Sequence, residues 1–151
     1  MFKLFGRKKE EKYVNPILET FNTFTVNQKM SVINLFLYAM SGDGLRDSDL
    51  KMQYIQSYVK LLGVNFEKCK QYSYLNIGSE VSNIITDLKP LSQSKKEVIL
   101  MVYGDLININ RRPTKEELDV FDALFKVLDV DEKKYIETYE RTQELLKTLL
   151  R

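Results

Sequence analysis

Val32 to Leu50 reads VINLFLYAMSGDGLRDSDL, and the join in the middle of it decides the fold. As far as Met40 the residues are apolar nearly all the way round a helix, the pattern of a helix covered on most sides. Ser41 to Leu50 then places three carboxylates and two glycines in ten residues. Gly42 or Gly44 can take the left-handed turn that stops the buried helix, and Asp47 or Ser48 can cap the free amides of the next. That next helix carries Met52, Ile55, Tyr58, Val59 and Leu62 at spacings of three and four before Gly63 ends it. Upstream, Asn15-Pro16 opens a helix with Ile17, Leu18, Phe21 and Phe24 on one face, and the buried helix is expected from about Gln28 to Met40.

Beyond Gly63 the same order of elements returns. Asn65 can cap a segment with Phe66, Cys69 and Tyr72 on one side, and Ile77, Val81, Ile84, Ile85 and Leu88 form a stripe closed by Lys89-Pro90. Ser94-Lys-Lys-Glu97 fits a capping box and opens VILMVYGDLI, Val98 to Ile107, again apolar nearly all round. Thr114-Lys-Glu-Glu117, after Pro113, fits a second box, and its helix shows Leu118, Phe121, Leu124, Phe125 and Leu128 on one face. Asp131 can cap a last helix with Tyr135, Ile136, Tyr139, Leu146, Leu149 and Leu150.

Laying Val32 on Val98 without a gap brings Ile55 onto Phe121, Leu62 onto Leu128 and LLGV (Leu61 to Val64) onto VLDV (Val127 to Val130). Neither half can cover its apolar central helix alone, so the two should share one core. No segment alternates with period two, and no sheet is expected. The expected fold is all-α: a single-domain bundle of about seven helices, two similar repeats around two buried central helices. Residues 1–12 form an N-terminal segment and 13–151 the helical domain, with repeat one over about 28–72 and repeat two over about 94–139.

At 151 residues, 44% hydrophobic and 29% charged, the chain is long enough to bury a core without a staple. Its basic excess is only 23 against 21, so nucleic-acid binding is not expected. There is no histidine, which removes Ser-His-Asp and Cys-His catalysis and every His-ligated metal. Cys69 is the only cysteine; it cannot form an internal disulfide and sits at core spacing. The opening MFKLFGRKKEEK is too short in its apolar part for a secretory signal. Phe2, Leu4 and Phe5 followed by Arg7, Lys8 and Lys9 instead make residues 1–9 a candidate peripheral membrane contact.

Any metal here must be hard and oxygen-ligated: Ca²⁺, Mg²⁺ or Mn²⁺. Asp43, Asp47 and Asp49 are candidate ligands, with Asp105 from the second half. An EF-hand is excluded, because Gly44 as its glycine puts the first ligand position on Ala39 and the glutamate position on Leu50. Asp105 lies inside an apolar helix and needs a partner or a raised pKa; Arg111, Arg112 or a lysine elsewhere is the expected partner.

A buried helix ending at Asp43-Gly44, an acidic helix start, an amphipathic helix ending in LLGV and a second such unit with PTKEEL, Pro113 to Leu118, resemble the TerB-like (tellurite-resistance) superfamily over about residues 28–150. The resemblance implies an all-α bundle, a bacterial setting of tellurite resistance and stress response, a cytoplasmic place at the inner membrane surface, and divalent metal held by acidic loop residues. Asp43 matches the family's loop aspartate, while Asp47 and Asp49 stand near its helix-start acid. In the second copy Ile109-Asn110 replaces Asp-Gly, and Arg111 and Arg112 bring positive charge where a cation would sit. Asp105 is the nearest substitute; of the acids Glu116 and Glu117, the second is engaged in its cap. The expected function is a non-enzymatic module with a protein partner and a divalent cation, and no small-molecule substrate. The alternatives are a metal-free helical scaffold whose exposed tyrosines and methionines bind a partner helix, and, remotely, a hydrolase pairing Asp43 with Asp105.

Overall fold

The computed structural model describes residues 19–40, 48–70, 77–109 and 111–150. Among them all regular structure is helical: a turn of helix over 19–22, then α1 (Val26–Tyr38), α2 (Ser48–Leu62), α3 (Phe66–Lys70), α4 (Ile77–Leu88), α5 (Gln93–Ile107), α6 (Lys115–Val127) and α7 (Glu132–Leu150). No described helix is long and apolar enough to cross a membrane.

The two central helices are the ones with the longest buried runs. In α1 every residue from Ser31 to Leu37 is buried, and in α5 burial runs from Ile99 through Tyr103 and resumes at Leu106 and Ile107. Taking each of these large apolar side chains out of water contributes roughly 1.5–3 kcal/mol. α1 packs against α2, α3 and α4, α5 packs against α6 and α7, and α1 and α5 touch each other, so the two units share one core. Cys69 is fully buried within it, as its spacing predicts.

Two helix ends 66 residues apart share a backbone conformation and the cap that follows it. Gly63 and Asp129 both adopt left-handed φ, 66° and 63°, where α2 and α6 stop. After α6 the ending is a full Schellman motif: Val130 N–H donates to the Phe125 carbonyl at 2.8 Å and Asp129 N–H to that of Lys126 at 3.2 Å. Asn65 and Asp131 then cap the helices that follow. Asn65 Oδ1 accepts from Glu67 and Lys68 N–H at 3.0 and 3.3 Å, and Asp131 Oδ1 from Lys133 and Lys134 N–H at 3.0 and 3.2 Å.

The capping box at Thr114 forms in both directions, 3.2 Å into the hydroxyl and 2.9 Å into Glu117. The one expected at Ser94 does not. Helix α5 starts earlier, with Ser92 as its N-cap, and the Glu97 carboxylate turns inward to accept from Gln93 Nε2 and Thr138 Oγ1, each at 3.0 Å. A further capping box, between Thr25 and Gln28, caps α1: the two bond reciprocally at 2.9 and 3.1 Å, so the helix starts at Val26 and not at the expected Gln28. Lys96, also buried, donates to the Leu128 carbonyl at 2.7 Å, a cation on the C-terminal end of α6 where the helix dipole favours it.

Candidate functional site

Of the four candidate metal ligands, Asp43 and Asp47 lie outside the described residues. Asp49 stands exposed in the first turn of α2, where an acid complements the helix dipole. Asp105 lies on α5, in an apolar helix but with its side chain reaching solvent. Among the described residues no three acids or cysteines come together in a way that could hold a metal.

Asp105 does not take the arginine expected for it. Arg111 Nη1 is turned onto Glu117 Oε1 at 3.2 Å and its own neighbour's carbonyl at 2.8 Å, while Asp105 Oδ2 receives the Tyr54 hydroxyl at 3.4 Å. The reason lies in the packing of α2, which puts Tyr54 and Tyr58, their rings tilted at 51° with 5.4 Å between centroids, beside that stretch of α5. Partial burial among these rings pushes the Asp105 carboxyl above its ordinary value, the Tyr54 hydrogen bond pulling the other way. Burial likewise raises the phenols of Tyr54, Tyr58 and Tyr135, and the charge of Asp105 adds to each. The phenols therefore stay protonated, and that of Tyr54 donates to Asp105.

The buried charges gather elsewhere, at the joint of the two repeats. Lys51 Nζ lies 2.8 Å from Glu117 Oε2, and each side chain is 1% exposed. Lys51 and Glu117 stand 66 residues apart, the offset that also separates Gly63 from Asp129. Glu117 Oε1 completes its set with the Thr114 N–H at 2.9 Å and Arg111 at 3.2 Å. Burial alone would raise the Glu117 carboxyl; the hydrogen bonds from Lys51, Thr114 and Arg111 together outweigh it and hold it below its ordinary value. A guanidinium thus stands beside the helix-start acid Glu117.

Lys51 was missed in the sequence, although its position carried a signal. It sits four residues before Ile55 and eight before Val59, on the apolar stripe of α2, where a lysine is either paired or snorkelling outward. Glu117 at the equivalent position supplied the partner.

Comparison of the chain with protein-family models, with curated proteins and with solved structures finds no match.

Proposed function

We propose that the chain is a non-enzymatic module of the TerB-like kind, acting in a bacterial stress or tellurite-related assembly through contacts with a protein partner. The observation that carries this reading is what the duplicated unit leaves uncovered. Leu61 and Val127, equivalent at the 66-residue offset, are both 43% exposed beside the two left-handed turns. Leu118 and Ile136 add exposed apolar area on α6 and α7. Paired apolar side chains held on rigid helix ends suit a partner surface better than a reaction, which needs convergent polar groups in a concave site.

A double variant, Leu61→Glu with Val127→Glu, tests it. Both positions are at the surface, so far-UV spectra and melting should stay near wild type, while protection of a deletion strain against tellurite or oxidative stress should be lost. Full protection by the folded variant would sink the contact reading. The cation belongs to the same proposal as a separable part. Millimolar Ca²⁺, Mg²⁺ or Mn²⁺ should raise the melting temperature of the wild type and not of Asp43→Asn, because a ligand that binds only the folded state stabilises it. No shift in the wild type would leave a metal-free scaffold.

A further inference from the structure

A cleft of about 260 Å³ lies between α1 and α4, and neither Lys51 nor Glu117 lines it. Asn27, Ser31 and Asn34 line it at helical spacing from α1, and Asn83, Thr86 and Asp87 from α4, with Met30 and Ile84 as its apolar walls. Ser31 and Asn34 are 5% and 3% exposed. The Oδ1 atom of Asn34 is buried with no hydrogen-bond partner, and such an atom costs about 1–3 kcal/mol unless something donates to it.

The hydroxyl protons around this cleft are already spent. Ser31 Oγ donates to Asp87 Oδ2 at 2.6 Å, and Thr86 Oγ1 to the Ser82 carbonyl at 2.9 Å. Gln28 Nε2 is committed to the Asp87 carbonyl at 3.2 Å. Beside the amide groups of Asn27, Asn34 and Asn83, which can donate or accept, these side chains leave over acceptors: the remaining Asp87 carboxylate lone pairs, the hydroxyl oxygens and Asn34 Oδ1. Asp87 forms no ion pair among the described residues, although Lys29 and Lys89 are near it or Ser31 in sequence. One negative charge among unfilled acceptors calls for one positive charge that carries several N–H donors. The space is much larger than a bare ion and has hydrocarbon on two sides.

We propose that this cleft binds a primary alkylammonium group, its three N–H bonds going to Asp87, Asn34 and a neighbouring hydroxyl or amide oxygen, and its alkyl stem lying along Met30 and Ile84. A divalent cation is disfavoured by the single carboxylate. The proposal does not depend on the TerB-like reading, and its key residues differ from Asp43 and from Leu61 and Val127.

Butylammonium chloride titrated into the full chain, followed by chemical-shift changes at Asn34 and Ser31 and by calorimetry at constant ionic strength, tests it. The ammonium should saturate the site while n-butanol, KCl and MgCl₂ do not. Asp87→Asn should weaken binding about tenfold or more, the loss expected when a hydrogen bond to a charged group is removed. Asn83→Asp, a surface change one turn before Asp87, should tighten it, and this variant keeps the test decisive if Asp87→Asn folds poorly. Putrescine and Nα-acetyl-lysine amide run in parallel separate a free amine from a lysine side chain by which binds more tightly. Equal responses to butanol or KCl, or unchanged affinity in both Asp87→Asn and Asn83→Asp, would overturn the proposal.

Discussion

Replacing Lys51 with Met removes one end of the ion pair that joins the repeats while nearly preserving shape. Glu117 would then be left 1% exposed without its 2.8 Å partner. Breaking a buried pair from one side costs about 3–5 kcal/mol, because the remaining charge has no water to return to. Glu117 keeps the Thr114 N–H at 2.9 Å and Arg111 at 3.2 Å, so the cost should fall at the lower end, about 3 kcal/mol. For a chain of this size that is a drop of roughly 6–12 °C in melting temperature. The pH dependence has a definite sign. Glu117 is held below its ordinary value of 4.5, so its contribution is present above that pH and is lost as the pH falls toward the depressed value. Without Lys51 the carboxyl rises, and the acid limb of the stability curve should begin at higher pH. A double-mutant cycle with Glu117→Gln, whose amide oxygen can still accept from Thr114, isolates the pair; a coupling of about 1–3 kcal/mol is expected. Urea and thermal unfolding at pH 7 and pH 4 measure it. A cost for Lys51→Met under about 1 kcal/mol, together with no coupling in the cycle, would refute the reasoning.

Three further outcomes follow from single features. Gly63→Ala should lower the urea midpoint by the equivalent of about 1–2 kcal/mol, because a Cβ disfavours left-handed φ, and Asp129→Gly should move it the opposite way; the same sign for both would contradict the shared turn. Asp105 has a raised carboxyl pKa, so the stability tied to its neutral form is present below its ordinary 3.8 and lost as pH rises through the folded value. Asp105→Asn should therefore be more stable than wild type at pH 7, and the two should converge in acid; equal stability at pH 7 counts against a desolvated carboxylate. Cys69 is fully buried and its thiol is pushed up to about 11, so iodoacetamide at pH 8 should label it only at the rate of unfolding, and labelling as fast as a free thiol would show that α3 does not stay packed against the core.

The two buried central helices were legible because Val32–Met40 and Val98–Ile107 are apolar nearly all the way round, which few environments other than a core permit. Gly63, Asn65, Thr114 and Asp131 were legible because turn and cap chemistry is local. Ser94–Glu97 failed for the opposite reason: the tetrad is correct, yet Thr138 from α7 gives Glu97 a distant partner that no local pattern contains. Thr25–Gln28 was readable by the same rule and was passed over because the apolar run drew the helix start toward Gln28. Asp105 and Lys51 exchanged expectations: the acid seemed to require a basic partner and took a phenol, while the lysine drew no attention and formed the central pair. Which cation meets which acid depends on how α2 and α6 cross, and this is set by packing between repeats.

The most direct measurement is site-specific photo-crosslinking in living cells, with a benzoylphenylalanine in place of Leu61 or of Val127 and a control at exposed Lys147. If the duplicated fold serves to present equivalent apolar positions to a partner, both positions will give a covalent adduct with one and the same protein and the control will not. Adducts from Leu61 and Val127 no more abundant than those from Lys147 would contradict the account.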